Sequence, residues 1–146
     1  MARQTDTTEG FTEQERAAMK ERTAEMRAEA KRGKSRAAGE KAIQDKIADM
    51  PQPDRELAEK YHALVSAVAP DLEPKTWYGM PAYARDGKVV TFFQAAAKFE
   101  SRYSTIGFND AAMLDDGVFW PNAFSITAWT AEVEEELRRI VAKAVN

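Results

Sequence analysis

The chain has 146 residues, no cysteine and a formal net charge of -3. That length suits one domain able to bury about two-thirds of the surface its unfolded form exposes, so folding requires neither a disulfide nor a structural metal. The missing cysteines exclude disulfides, thiolate catalysis and cysteine zinc sites, and they fit a reducing compartment. The N-terminus lacks the apolar core of a signal peptide, and no stretch approaches the ~20 apolar residues of a membrane span. The expectation is a soluble, cytoplasmic protein with no membrane partner. Residues 1–50 hold 11 Lys+Arg against 10 Asp+Glu, leaving 10 against 14 for the rest. The body is therefore mildly acidic, a surface that repels nucleic acid backbones and attracts cations.

Residues 1–10 are polar, and terminal segments without apolar anchors stay mobile. From Thr12 to about Lys34 the composition turns to Ala, Glu, Lys and Arg. These are strong helix formers, and Thr12 with Glu15 spells a capping box. The apolar content of this helix is thin, chiefly Phe11, Met19 and Met26, so the expectation is a solvated arm that docks weakly or meets a partner helix. Basic residues Lys31, Arg32, Lys34 and Arg36 around Gly33 complement the negative end of its dipole. Ile43, Ile47 and Met50 then recur at i, i+4 and i+7, and Pro51 and Pro53 end that short helix. A third helix carries Leu57, Tyr61, Leu64, Val65 and Val68 on one stripe, with Asp54 and Glu56 at its start and Pro70 after its end.

Between Pro74 and Phe108 the period changes, and aromatic and β-branched residues concentrate around Gly and Pro, as in a small antiparallel sheet. The expected strands are 76–78, 82–85, 88–93 and 102–106. Asp86-Gly87 supplies the two positive-φ positions of a type I′ turn. Residues 109–124 read as a loop whose Leu114, Val118, Phe119 and Trp120 cover one side of the sheet. The last helix, 130–145, places Val133, Leu137, Ile140, Val141 and Ala144 on one stripe, with Glu134–Arg138 and Glu135–Arg139 as i,i+4 pairs. Each apolar stripe needs a partner surface, and the sheet is the one available. The fold class is α+β: a two-layer domain over residues 37–146, its small antiparallel sheet packed by N-terminal and C-terminal helices, with an additional charged helical arm at 1–36.

The run Trp77-Tyr78-Gly79-Met80-Pro81-Ala82-Tyr83, followed by Gly87-Lys88, Phe92-Phe93, Lys98, Tyr103 and Gly107-Phe108, resembles the signature of the YdhG-like family. This is a bacterial domain of unknown function. The resemblance spans about residues 40–145. It implies a shape similar to frataxin and CyaY, with terminal helices on one face of an antiparallel sheet, and a role for some members as intracellular iron chaperones. The arm at 1–36 and the sparse acidic residues depart from that pattern.

Residue chemistry supplies a fold class but no definite activity. For a metal ion, carboxylate oxygens suit weakly held iron, and the candidates are Glu56 and Glu59 on the third helix with Asp115 and Asp116 in the 109–124 loop, which could fold nearby. Against that stands a plain structural reading, a Glu56–Lys60 ion pair and an Asp-Asp-Gly turn. For a small molecule, the candidates are Trp77, Tyr78, Met80, Tyr83, Phe92 and Trp120 with Lys98, because aromatic residues there exceed what one face of a small sheet needs. Packing in the core is the competing account. His62, the single histidine, has no serine, cysteine or second histidine in its motif, and no serine sits in a nucleophile elbow. Lys31 to Arg36 could touch nucleic acid, but interleaved Glu21, Glu25 and Glu29 nearly neutralise that helix. The sequence therefore points to a non-enzymatic binding domain, with iron delivery as its sharpest version. The alternative is a module that binds a small molecule or protein through the aromatic sheet face, or pairs with a second copy through the N-terminal helix.

Overall fold

A computed structural model describes residues 10–32 and 36–146. In chain order it contains α1 (Glu13–Arg32), α2 (Arg36–Ala48), α3 (Asp54–Val68), β1 (Glu73–Trp77), β2 (Met80–Arg85), β3 (Lys88–Gln94), a 3-10 turn (Ala96–Phe99), β4 (Ser104–Phe108), β5 (Ala123–Ile126) and α4 (Ala131–Ala144). The five strands pair antiparallel in the order β1-β2-β3-β4-β5, each with its neighbour in sequence. This is the expected α+β class, helices flanking a small antiparallel sheet. Residues 1–9, the helix end at Gly33 and, of the basic cluster, Lys34 lie outside the described residues. Arg36 opens α2 and donates to the Pro70 carbonyl at 2.6 Å.

The helix signals in the sequence act as their chemistry requires. Thr12 Oγ1 accepts the Glu15 N–H and Glu15 Oε1 accepts the Thr12 N–H, both at 3.0 Å, which satisfies two donors that a helix start leaves free. Thr130 Oγ1 caps α4 by accepting the Val133 N–H at 3.1 Å. Both i,i+4 pairs expected on α4 are replaced: Arg139 pairs with Glu136, one turn position closer, and Glu134 accepts from Trp129 Nε1 at 3.3 Å. Glu56–Lys60 forms as expected at 3.4 Å.

One apolar cluster joins Ile43 and Ile47 of α2, Leu57, Tyr61, Leu64 and Val65 of α3, Phe93 and Ile106 of the sheet, and Leu137, Ile140 and Val141 of α4. α3 and α4 share one face of the sheet and pack against each other as well. Truncating a side chain as enclosed as Ile43 or Val141 would cost ~2–5 kcal/mol or somewhat less for the smaller valine. α2 comes close enough to β1 that a Cβ on Gly39 would stand 2.0 Å from the Pro74 carbonyl oxygen, so only glycine permits this approach.

Three further features depart from the sequence expectation. The segment read as a loop over 109–124 runs into a fifth strand, whose Phe124 pairs with Ile106 and packs edge-on against Phe108 at 6.1 Å. Within the loop, Leu114 is buried and Trp120 packs on the cluster, but Val118 and Phe119 are 100% and 90% exposed instead of covering the sheet. Finally, Tyr78 leaves the strand: with φ of 53° it forms, together with Gly79 at 77°, a second two-residue turn of the kind at Asp86 (52°) and Gly87 (79°).

Candidate functional site

The β1–β2 turn is where the two sides of the site meet. A tyrosine at positive φ is strained, and what holds it is a carboxylate 53 residues away: Glu25 of α1 accepts the Tyr78 N–H through one oxygen and the Gly79 N–H through the other, each at 2.9 Å. Glu25 is itself nearly buried. One turn earlier on α1, Glu21 receives Lys98 Nζ at 2.7 Å and Lys46 Nζ at 2.8 Å. Burial pushes the Glu21 carboxyl up, but hydrogen bonds and charge from Lys46 and Lys98 outweigh it and hold the group below its ordinary range. Glu29 adds a contact to Lys75 at 3.3 Å. With its thin apolar content, α1 is docked on the domain mainly through these carboxylates, with Ala18 buried beneath it.

Between α1 and the hairpin lies a groove of about 570 Å³. Phe11, Ala18 and Met19 form one wall, and Trp77, Tyr78 and Met80 form the other. The Trp77 and Tyr78 rings stand 5.1 Å apart at 80°, the edge of one against the face of the other. Trp77 also rests on Phe92 at 5.3 Å, and Phe92 fills the space a side chain on Gly107 would need. Gln94 and Phe99 close the end. Phe99 is set there by the 3-10 turn, whose first N–H groups are held by Ser104 Oγ (from Ala96) and Asp54 Oδ2 (from Ala97), both at 3.0 Å.

Of the residues the sequence singles out, Trp77, Tyr78 and Met80 line this groove and Phe92 supports it. Lys98 sits beside it, but its ammonium is bound to Glu21 and lies 5.8 Å from the Phe99 ring. Trp120 belongs to the other side, against the core. Tyr83 is buried on the helix-covered face, where its hydroxyl meets His62 Nδ1 at 2.9 Å and His62 Nε2 meets Glu40 Oε1 at 2.6 Å. A carboxylate can only accept, so Nε2 carries the hydrogen and, in the neutral ring, Nδ1 accepts from Tyr83 O–H. His62 is accordingly a buried link between α2, α3 and β2. Burial, with Tyr61 and Glu40 nearby, pushes the Tyr83 phenol well up, so it stays protonated.

Glu56, Glu59, Asp115 and Asp116 are all exposed, Glu56 in its pair with Lys60. Among the described residues, no three acidic or histidine side chains come together as a metal-holding group. No described helix is long and apolar enough to cross a membrane.

Sequence reading missed Phe11, Ala18, Met19 and Phe99. A signal existed for the first three, because Phe11, Glu15, Ala18 and Met19 fall at i, i+4, i+7 and i+8, one helical face. A second mixed-charge pocket of about 340 Å³ lies at the outer edge of β1, but its Arg22 and Lys75 are paired with Glu29. Compared with protein-family models, with curated proteins and with solved structures, the chain matches none.

Proposed function

We propose that this chain is a non-enzymatic binding module whose ligand, a small molecule with apolar surface, lies in the groove between α1 and the β1–β2 hairpin. The observation that carries the reading is the groove itself. Aromatic and methionine side chains from two separate parts of the chain face one another across about 570 Å³, with Gln94 and Thr12 as polar groups. Sites for small ligands have this composition, apolar walls with a few polar groups that fix orientation. The turn that presents Trp77 and Tyr78 is held by Glu25 in a conformation a tyrosine would otherwise avoid, and maintaining such strain is characteristic of functional positions.

The test is a fragment screen by two-dimensional NMR on the full chain. Ligands are expected to move the signals of Trp77, Tyr78, Met80 and Met19 together, and Met19→Glu is expected to abolish the response while the spectrum elsewhere is unchanged. Shifts confined to other surfaces would overturn the reading. Iron delivery, which the family resemblance implies, would use Glu56, Glu59, Asp115 and Asp116 as exposed oxygen donors for iron as cargo. It draws its support from that resemblance and from the exposure of those carboxylates.

A further inference from the structure

Val118 and Phe119, adjacent and almost wholly exposed, stand on the loop between β4 and β5. That loop is held at both ends. The Met113 N–H donates to the Ala144 carbonyl and the Phe108 N–H to the Asn122 carbonyl, each at 2.8 Å, while Leu114 is buried and Trp120 packs on the core. The two side chains are therefore presented outward as a fixed knob, and large apolar groups exposed together mark a contact surface. Asp110, Asp115 and Asp116 are exposed on the same loop, and residues 109–124 contain no lysine or arginine.

A counterpart to this acidic knob lies along α1. Glu21, Glu25 and Glu29 turn toward the domain, where Lys46 and Lys98, the hairpin amides and Lys75 take them up. Among the described side chains of α1, the exposed charges are Glu13 and Glu15 against Arg16, Lys20 and Arg27. Arg16 and Lys20, one helical turn apart, flank Met19 of the groove wall, and Arg16 donates to the uncharged Phe11 carbonyl at 3.3 Å. We infer that the groove receives Phe119 and Val118 of a second copy of this chain, with that copy's Asp115 and Asp116 beside Arg16 and Lys20. The ring enters among Met19, Trp77 and Met80, thioether and aromatic surfaces that favour it. Glu15 in the lining does not oppose the acids, because at ~3.3 Å per residue they can stand about 10 Å from Phe119, beyond the rim. This contact depends on the walls of the groove and not on the small ligand proposed above. Knob and groove lie in different parts of the chain, so two copies that exchange both form a closed pair, and a single exchange repeats head to tail.

Sedimentation equilibrium of the full chain from about 10 μM to about 1 mM is expected to show an average mass that rises with concentration. Phe119→Glu, at a side chain the fold does not bury, and Met19→Glu, on the groove wall, are each expected to weaken association about thirtyfold or more, as loss of a central anchor does. Mixing the two variants separates a specific contact from general adhesion, because Phe119→Glu keeps its groove and Met19→Glu keeps its knob. The mixture is expected to form a one-to-one complex at concentrations where each variant alone is monomeric. Asp115→Lys with Asp116→Lys is expected to weaken association about fivefold, and mixing with Arg16→Glu, Lys20→Glu chains to restore it. Association unchanged by Phe119→Glu or by Met19→Glu, or a mixture that stays monomeric, would overturn the contact. A wild-type chain that stays monomeric over the whole range while fragments bind the groove would overturn it in favour of a small-molecule site alone. Run on the Phe119→Glu monomer, the fragment screen tests the groove reading separately, and that reading falls only when the shifts map elsewhere.

Discussion

The Glu25 carboxylate on α1 holds the backbone N–H of Gly79 at 2.9 Å, so a side chain from the first helix fixes a hairpin more than fifty residues later. Its second oxygen does the same for Tyr78. Replacing Glu25 by glutamine turns one accepting oxygen into a donor facing an N–H. Loss of one charge-assisted hydrogen bond and the desolvation of the orphaned amide are expected to cost ~1–3 kcal/mol. Urea unfolding followed by circular dichroism measures this, and the Tyr78 and Gly79 amides should exchange faster with solvent. An unchanged midpoint with unchanged exchange would show that the turn stands without α1.

A second prediction concerns the buried hydroxyls. Tyr61 O–H lies 2.6 Å from Thr91 Oγ1, and Thr91 Oγ1 donates to the Gly107 carbonyl at 2.8 Å. Threonine has one hydroxyl hydrogen, which Gly107 takes, so Tyr61 must be the donor. Thr91→Val strands the fully buried Tyr61 hydroxyl and is expected to destabilise by ~1–3 kcal/mol, while Tyr61→Phe costs ~0.5–1.5 kcal/mol. The double variant should be more stable than the sum of the single losses, because it removes both partners. Strict additivity in a denaturation cycle would contradict the bond.

Acid should loosen the docking of α1 and α2 in a defined direction. Burial pushes the Glu40 carboxyl up, but hydrogen bonds from His62 and Gln44 and the charges of His62 and Arg36 outweigh it, so the group sits below its ordinary range. Glu21 is lowered in the same way by Lys46 and Lys98. A depressed carboxyl binds its proton less readily folded than unfolded. Its stabilisation is therefore complete above the unfolded value of ~4.3 and is lost as pH falls through the folded one. Unfolding midpoints measured from pH 6 to pH 3 should decline below about pH 4.3, and Glu21→Gln with Glu40→Gln should flatten the decline. An equally steep decline in the double variant would assign the acid sensitivity to other groups.

For iron, anaerobic calorimetry with ferrous ion is decisive. With no three donors gathered among the described residues and Glu56 paired to Lys60, no saturable heat is expected at micromolar concentration. A saturable isotherm abolished by Glu56→Gln and Glu59→Gln would establish the carrier role instead.

The parts of the molecule legible in the sequence are those set by local chemistry. The Thr12–Glu15 capping box, the α3 and α4 stripes and the Asp86-Gly87 turn each depend on residues within a few positions of one another. Tyr78-Gly79 was hidden because its turn depends on Glu25, which no local pattern announces. β5 was hidden because it is only four residues long, and alternation over so short a run does not by itself mark a strand. The site was half visible for a related reason. Aromatic excess marked Trp77, Tyr78 and Met80, yet Tyr83 belongs to the other face, and strand parity assigns faces only once the turn is placed, since a shift of one residue exchanges them. The exposure of Phe119 beside the burial of Leu114 is a further case: both are apolar, and only the packing of the loop on α4, through the Met113 N–H to the Ala144 carbonyl at 2.8 Å, separates them.

The brevity of β5 has an outcome beyond this one molecule. A sheet's last strand is a template on which another chain can pair, and long, flat, apolar borders invite fibrils. Here that border is four residues long, follows closely on Pro121, and alternates exposed Ala123 and Ser125 with inward Phe124 and Ile126. Few unpaired amides face outward along it, so the protein is guarded against edge-to-edge aggregation at high concentration.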